Sequence, residues 1–305
     1  MATGTSLAPQ TSTTVRSNAD SRRQALLRVA FRMLDVVAPP LSVRLAARLW
    51  CTVPTGSGLR RDDRPIPGLF VDPSEVGSVA LPGGRRVVTE TWGEGLPIYL
   101  VHGWGGWRGQ LGAFVEPLLS RGYRVVAFDA PSHGESGPGL LGPGRSTLPE
   151  MAEALRAVVE THGKPAGIVG HSLGCAAVAV AVQDGLDSPK LGFVAPTVEP
   201  ISHTRDMARA LGFSERTRVG LLRRLEAMVG RPMADFDLLA MPDRAALPPT
   251  LVVHDRADRE IPYDEAGRLV ASWPQADLVS TDGLGHQRIL RDADVIALVA
   301  MFVAP

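Results

Sequence analysis

From about residue 75 to the end of the sequence, short apolar runs with strand character alternate with helical patterns. Strands that alternate with helices form a mainly parallel sheet that helices cover on both faces. Two of the runs, 98–101 and 125–128, are continuously apolar, which is typical of strands buried on both sides. The sequence therefore predicts an α/β fold with a sheet of about eight strands flanked by helices. The predicted strands are 77–81, 86–91, 97–101, 123–128, 167–170, 191–194, 250–254 and 277–280.

The alternation is interrupted once, by a long segment at about 197–247. Its pattern predicts one helix at 202–211, closed by Gly212, and a second at 214–229, closed by Gly230. A loop of this length without secondary structure would be unusual inside a compact domain, so we predict a helical insertion before the seventh strand. Elsewhere the clearest helix is 148–161, which Thr147 and Glu150 begin as a capping box and Gly163 ends.

The amino-terminal segment does not share this alternation. Residues 1–20 are rich in Ser, Thr and Ala, so we expect a disordered tail. Apolar residues then recur at helical spacing as far as Pro39, and a second short helix is predicted at 41–50. We expect a helical arm over 21–60, packed on a main domain over 61–305, rather than a membrane-surface helix, because the first helix has no tryptophan to anchor it.

The overall composition excludes several classes of protein. The 32 basic and 32 acidic side chains cancel, so the chain lacks the positive charge expected of a nucleic-acid-binding protein. Two cysteines cannot build a disulfide framework, and no apolar run approaches the roughly 18 residues that span a bilayer. Zinc-ligand spacing such as H-E-x-x-H is absent. We therefore expect a cytoplasmic protein without a metal, a cofactor, a nucleic-acid partner or an integral membrane segment.

A Gly-x-Ser-x-Gly pattern runs from Gly170 through Ser172 to Gly174. It follows a short apolar strand and opens the run 175–182, which reads as a buried helix. A sharp strand-to-helix turn exposes the serine oxygen, and the glycines allow the close backbone approach that such a turn requires. Taken alone the segment could be an ordinary tight turn, but its position between a strand and a buried helix predicts that Ser172 is a nucleophile.

A second turn, from His102 through Gly103 and Trp104 to Gly105, follows the buried strand at 97–101. Glycines after a strand allow a backbone N–H to point into the space where an oxyanion would develop. We predict that the amides of Trp104 and Leu173 are the oxyanion donors. The residues expected to support the two turns are His102, Gly103, Gly105, Gly170 and Gly174.

A serine hydroxyl needs a base to take its proton, and the base needs an acid to orient it. Seven histidines are present, of which His286 lies in a glycine-containing loop after the last predicted strand. Two acids, Asp255 and Asp258, follow the strand that ends at His254. Asp258 lies in the loop itself, whereas Asp255 is also well placed as a turn residue.

The order Ser172, Asp258, His286, with the glycine turn ahead of them, resembles the α/β-hydrolase superfamily over about 75–305. The run 129–136 looks like the family's loop after the fourth strand, although Ser132 stands where many members carry glycine. The run 258–262 is similar to the family's D-x-x-[VI]-P acid loop, which favours Asp258 over Asp255 as the acid. The resemblance implies an α/β-hydrolase fold with a cap at 197–247 and no cofactor.

The resemblance also implies a serine hydrolase that acts on a small-molecule acyl ester. Acyltransferases, thioesterases, peptidases and carbon–carbon hydrolases share the serine and stay open, as does a non-catalytic ligand-binding protein on the same scaffold. Dehalogenases and epoxide hydrolases of this superfamily put Asp where Ser172 stands. The apolar residues of the insertion would either line an acyl pocket or hold the insertion together: Met207, Leu211, Leu221, Leu222, Leu225 and Met228. Trp104 and Trp107 flank the expected oxyanion site, and their side chains would either pack in the core or form a wall of the pocket.

Overall fold

A computed structural model describes residues 18–54 and 72–305. At its centre is one eight-stranded sheet in the order β1-β2-β4-β3-β5-β6-β7-β8. The strands are β1 (Glu75–Leu81), β2 (Arg85–Trp92), β3 (Pro97–Val101), β4 (Arg124–Phe128), β5 (Gly167–His171), β6 (Leu191–Val194), β7 (Thr250–Asp255) and β8 (Ala276–Thr281). β2 pairs antiparallel with β1 and β4, and every other neighbouring pair is parallel. The predicted mostly parallel sheet of about eight strands is confirmed.

Helices cover both faces of this sheet. The helices of the described residues are α1 (Asn18–Val37), α2 (Pro39–Trp50), α3 (Val115–Leu119), α4 (Leu148–His162), α5 (Leu173–Gln183), α6 (His203–Leu211), α7 (Glu215–Val229), α8 (Tyr263–Ser272), α9 (Gly285–Arg288) and α10 (Ala293–Val303). In β3, Tyr99 packs into the core under α4 and α5, whereas Ile98 and Leu100 pack into the second core under α3 and α10. This alternation explains why the strand is apolar throughout, because each face of the sheet meets a layer of helices. None of the described helices combines the length and apolar character needed to cross a bilayer.

Side-chain caps and glycines set the ends of several helices. The Thr147 hydroxyl accepts a hydrogen bond from the Glu150 amide at the start of α4, and Gly163 ends the helix with φ 104°. The carboxylate of Glu150 does not return to the Thr147 amide, as a full capping box would require; it accepts from the Leu140 amide at 2.5 Å instead. The predicted start and end of α4 are therefore confirmed, while the reciprocal half of the box is wrong.

The segment between β6 and β7 contains α6 and α7, as predicted. Gly212 and Gly230 end the two helices with φ 73° and φ 69°, values that favour glycine. Two 3₁₀ turns, Met233–Phe236 and Leu238–Asp243, follow α7 and were not predicted. Turns this short repeat no apolar spacing, so the sequence pattern carries no signal for them.

The amino-terminal helices α1 and α2 lie against α6 and α7. The predicted second helix begins earlier than expected, because Pro39 and Pro40 occupy its first turn, where a missing N–H costs nothing. The tail predicted at 1–20 lies outside the described residues as far as residue 17, and α1 already includes 18–20. The expected boundary between arm and main domain near residue 60 also lies outside the described residues.

Candidate active site

Ser172 occupies the turn between β5 and α5, with φ 54° and ψ −125°. A non-glycine residue in this region is strained by about 1–3 kcal/mol, so the surrounding structure has to hold it. The Ser172 amide donates to the Val194 carbonyl at 3.0 Å, and the Ser172 carbonyl accepts from the Thr197 amide at 3.2 Å. These bonds fix the turn to the end of β6 and leave the Ser172 side chain on the wall of a cavity.

Three of the predicted glycines are required by close contacts around this turn. A Cβ at Gly103 would lie 2.8 Å from Cβ of Ser172, and one at Gly170 would lie 3.0 Å from Cα of Cys175. A Cβ at Gly174 would lie 2.5 Å from the His102 carbonyl oxygen. Gly103 and Gly174 therefore let the two predicted turns pack against each other, and a side chain at either position would separate them. Gly170 instead allows the close approach within the serine turn itself.

His286 lies at the start of the short helix α9, with its ring almost fully buried. Its Nδ1 donates to Oδ2 of Asp258 at 2.7 Å, which leaves Nε2 as the proton acceptor. His286 and Ser172 line the same cavity. In the described part of the chain no hydrogen bond joins Ser172 Oγ to His286 Nε2; such bonds commonly tighten only when substrate binds.

Four hydrogen bonds converge on the carboxylate of Asp258. Oδ2 accepts from His286 and from Nε2 of His254 at 3.2 Å, and Oδ1 accepts from the amides of Glu260 at 2.8 Å and Ile261 at 3.0 Å. Burial by itself raises the pKa of Asp258, but the bonds from the two rings outweigh it and hold this pKa well below the ordinary value. Asp258 is therefore an ionised acceptor that orients His286.

Asp255, the other candidate acid, is not placed against His286. Its carboxylate accepts from the Ala257 amide at 2.9 Å, the Thr281 hydroxyl at 2.8 Å and the Leu284 amide at 2.9 Å. Because Leu284 belongs to the loop that leads into His286, Asp255 holds that loop in place by hydrogen bonding. Of the two acids that the residues left open, the structure brings only Asp258 to the imidazole.

Two further histidines belong to the site and were not predicted. His254 is fully buried at the end of β7 and bonds to Asp258. His171 donates from Nε2 to the His286 carbonyl at 3.1 Å, and the rings of His171 and His286 lie 4.7 Å apart. Burial lowers the pKa of His171 to about 3, so its ring is neutral. The only sequence signal for either was proximity along the chain, since His171 precedes Ser172 and His254 lies four residues before Asp258.

The glycine turn after β3 is held by its own histidine. His102 donates from Nδ1 to the Gly103 carbonyl at 2.7 Å and accepts from the Ala130 amide at Nε2, at 3.0 Å. Burial lowers the pKa of His102 to about 4, which suits a ring that must accept at Nε2. His102 therefore joins two loops and has no free nitrogen for proton transfer. Gly105, with φ 70°, completes the turn.

The residues predicted to supply the oxyanion amides lie beside Ser172. Trp104 and Leu173 both border the cavity that contains the Ser172 side chain. Leu173 is the first residue of α5, where a helix leaves its amides without intrahelical partners and carries a partial positive charge. Trp107, the other tryptophan of this turn, is buried in packing and does not border the cavity.

A buried ion cluster fixes the loop at 129–136. The Arg108 guanidinium contacts Asp129 and lies 3.0 Å from Glu90, and the Arg108 amide donates to Asp129 at 2.7 Å. Ser132, where the family often has glycine, has φ 64°. Its hydroxyl donates to the Arg145 carbonyl at 2.8 Å, which compensates for the strained backbone. The sequence pattern gave no signal for Arg108.

The cavity beside Ser172 has a volume of about 510 Å³, within the usual range for small-molecule sites. Its lining is mainly apolar and contains Met207, Leu222 and Leu225 of the insertion. The other three, Leu211, Leu221 and Met228, pack in or against the core and do not border the cavity. The six apolar residues of the insertion thus divide into three that line the cavity and three that pack. Glu260 is the only carboxylate among the described lining residues; its Oε2 lies 3.9 Å from Nε2 of His286.

Comparison with known proteins agrees with this fold. The model of the Alpha/beta hydrolase family matches residues 98–298. A putative non-heme haloperoxidase of Mycobacterium phage D29 is 28% identical over 270 residues, covering 75% of this chain and 96% of that protein. The 2-hydroxy-6-oxononadienedioate/2-hydroxy-6-oxononatrienedioate hydrolase 2 of Pseudomonas putida is 30% identical over 64% of this chain and 82% of its own length.

Among solved structures, a thermophilic esterase from Thermogutta terrifontis is similar in fold. Its TM-score is 0.56 at 20% sequence identity, over 76% of this chain and 100% of that one. The eight-stranded sheet with the order described above, the serine turn after β5 and the match over 98–298 lead to one assignment. The chain belongs to the Alpha/beta hydrolase family.

Proposed function

We propose that the protein is a serine hydrolase that cleaves carboxylic esters through an acyl-enzyme. One observation carries the proposal: Ser172, on a strained turn, shares a cavity wall with a histidine whose other nitrogen is bonded to a buried, ionised Asp258. A serine, a base with a defined tautomer and an acid that orients the base are the three groups that acyl transfer by a serine requires.

In the proposed reaction Ser172 Oγ attacks the carbonyl carbon of the ester while His286 Nε2 accepts the hydroxyl proton. Asp258 keeps its negative charge and stabilises the imidazolium that forms. The amides of Trp104 and Leu173 donate to the oxyanion, and each such donor contributes about 3–4 kcal/mol to the transition state in related chemistry. His286 then protonates the leaving alcohol, and water, activated by the same nitrogen, hydrolyses the acyl-enzyme.

The cavity favours an uncharged substrate. The Pseudomonas putida relative is named for a dioate, which carries two carboxylates. No arginine or lysine borders the cavity among the described residues, and the carboxylate of Glu260 lies 3.9 Å from Nε2 of His286. His203 also borders the cavity, but its imidazole is already paired with the buried carboxylate of Glu265 at 3.2 Å. A doubly charged anion would be desolvated there without an unpaired cation, so we favour neutral acyl esters.

Labelling with a fluorophosphonate tests the proposal directly. The wild-type protein should gain one covalent adduct by intact mass and should hydrolyse short acyl esters, and Ser172→Ala should do neither. Ser146→Ala is the matched control, because it removes a different serine hydroxyl from the wall of the same cavity. Labelling of Ser172→Ala, or loss of labelling only in Ser146→Ala, would overturn the nucleophile assignment.

A non-catalytic ligand-binding role is separated by the same experiment. A binding protein on this scaffold would have no need of an activated serine, so wild-type protein would remain unlabelled under conditions that label a known serine esterase. Mapping the adduct to the peptide that contains Ser172 completes the assignment.

A further inference from the structure

Part of the cavity wall comes from outside the segment that matches the family. The family match begins at residue 98, yet Leu49, Trp50 and Cys51, at the end of α2, border the cavity that contains Ser172. We propose that the amino-terminal arm (α1, α2 and residues 51–54) forms a binding subsite for an apolar chain of the substrate and limits its length. The proposal rests on the function proposed above only in that Ser172 marks the reacting end of the substrate.

Hydrogen bonds join the arm to the insertion at both of its helices. The Asp35 carboxylate in α1 accepts from the Ser214 amide at 2.6 Å and from the Thr217 hydroxyl at 2.7 Å. Asp35 thereby caps the amino terminus of α7, where a negative charge is favourable. At the other helix, Arg28 Nε donates to the Ala210 carbonyl at 2.7 Å, near the end of α6. The arm thus binds both helices that cover the site.

Apolar packing reinforces these bonds. Phe31 is completely buried, with its ring 5.0 Å from that of Phe213 between α6 and α7. Val43 of α2 lies so close to α7 that a Cβ at Gly220 would be 2.5 Å from Val43 Cγ2. The glycine at this position therefore allows α2 to approach α7 closely. The last residues of α2 are thereby directed along the side of the cavity.

The end of the arm is also attached to the main domain. The Cys51 carbonyl accepts from the Ser146 amide at 2.9 Å, and the Val53 amide donates to the Gly144 carbonyl at 2.9 Å. Burial raises the pKa of the Cys51 thiol to about 11, so this side chain packs rather than reacts. Leu49 and Trp50 are therefore held between α7 on one side and the loop before α4 on the other.

The chemistry of this wall identifies the ligand class. Leu49 and Trp50 from the arm stand with Met207, Leu222 and Leu225 from the insertion, and none of the five offers a charge to a ligand. A hydrocarbon chain gains about 0.8 kcal/mol for each methylene that it buries on such a surface, which is about fourfold in affinity. We therefore assign the subsite to a straight uncharged alkyl or acyl chain, with Leu49 and Trp50 setting how far it extends.

Two opposite substitutions test the subsite. Leu49→Trp adds bulk to the cavity and should lower kcat/KM about tenfold or more for the longest esters while leaving the shortest ester within about twofold. Trp50→Ala removes bulk and should move the preferred length to longer chains. Leu41→Trp, on the same helix but 48% exposed and away from the cavity, is the matched control and should keep the wild-type profile.

The measurement uses one ester panel with a fixed alcohol and increasing acyl length, and a second with a fixed acyl group and increasing alcohol length. The panel that responds shows which part of the substrate enters the subsite. Fluorophosphonate labelling of each variant confirms an intact site. If Leu49→Trp and Trp50→Ala are labelled like wild type and change neither profile, the subsite proposal is overturned.

A binding experiment separates this proposal from the esterase proposal. In the Ser172→Ala protein, which has no nucleophile, the Kd of primary alcohols should fall with chain length up to a limit. Leu49→Trp in the same background should shorten that limit, and Leu41→Trp should not. This result would support the subsite even if no ester were cleaved, whereas a Kd independent of chain length would refute it.

Discussion

His254 Nε2 lies 3.2 Å from Oδ2 of Asp258, the same oxygen that holds His286. Because a carboxylate only accepts, Nε2 of His254 carries the hydrogen, and this fixes the tautomer of a fully buried ring. The ring packs edge-on against Tyr263 with centroids 5.8 Å apart. Asp258 is thus oriented by two rings and two amides, and rotation of its carboxylate would break bonds at both oxygens.

Replacing His254 should weaken this orientation without touching substrate. We expect His254→Phe to lower kcat about tenfold with little change in KM, because one hydrogen bond to a charged group is lost. The pKa of Asp258 should rise toward its ordinary value, which an NMR titration of its carboxyl carbon measures. His254→Gln, which keeps an N–H donor, should recover part of the loss in kcat. A wild-type kcat and an unchanged pKa of Asp258 in His254→Phe would show that the contact does not matter for turnover.

Asp255, the last residue of β7, and Asp258, in the loop that follows, should behave differently. Asp258→Asn should lower kcat by about 10³–10⁴-fold, because the amide favours the wrong tautomer of His286. Asp255→Asn should lower the thermal midpoint, since Asp255 braces the loop before His286, but should keep most of its turnover per labelled site. Titration of active sites with a fluorophosphonate normalises the comparison. The reverse pattern would move the acid to Asp255.

Gly103 offers a test of the contact between the two turns. In Gly103→Ala the new methyl group would lie 2.8 Å from Cβ of Ser172, so the turns must separate; we expect a loss of at least about 100-fold in kcat. Gly267→Ala in α8 is the control, because nothing lies within 4 Å of a Cβ there. It should keep full activity and gain up to about 1 kcal/mol of stability from helix propensity. Steady-state kinetics and thermal melts measure both.

The pair His203–Glu265 should make stability depend on pH. Glu265 lies 3.2 Å from Nε2 of His203 and raises its pKa above the ordinary 6.5, although burial opposes the shift. Burial raises the pKa of Glu265, but the contact with His203 and the Val198 amide lower it below the ordinary 4.5. The contribution of His203 to the free energy of unfolding is complete below pH 6.5 and is lost as the pH rises through its raised pKa. The contribution of Glu265 is complete above pH 4.5 and is lost as the pH falls through its lowered pKa.

The free energy of unfolding of wild type should therefore exceed that of His203→Gln most between about pH 4.5 and 6.5, where both groups are charged. The difference should shrink as the pH rises above this window. Denaturant unfolding at a series of pH values measures it. Arg209→Gln, on the exposed face of α6, is a control that should show no such window. A difference that grew with pH would contradict the ion pair.

The parts of the molecule that the sequence predicted are those with local causes. The strands, the ends of α4, α6 and α7 and the turn at Ser172 follow from apolar spacing, capping residues and glycines within one segment. The contact of Gly103 with Ser172 joins two separate segments, so the sequence indicated it only through the resemblance of both turns to family motifs. His254, His171 and Arg108 were missed because their roles depend on neighbours that only the folded sheet brings together.

The attachment of the arm was beyond the reach of sequence patterns for the same reason. The periodicity of α1 and α2 predicts an apolar face but not its partner. Asp35 meets Ser214 and Thr217 across more than half of the chain, and Leu49 and Trp50 reach the cavity only through the packing of α2 on α7. The sequence therefore predicts that α2 is a helix, but it does not predict that the end of α2 lines the cavity.

The way the arm is fastened bears on how substrate enters and product leaves. A movement of α6 and α7 away from Ser172 would have to break the hydrogen bonds of Asp35 and Arg28 or carry α1 and α2 along. The arm that contains α1 and α2 is itself hydrogen-bonded to the loop before α4 through Cys51 and Val53. A cover fastened on both sides resists hinge motion. We therefore expect substrate to enter the cavity, and product to leave it, by rotation of single side chains at its opening. The rates of entry and release should depend on the size of these side chains rather than on the stiffness of a hinge.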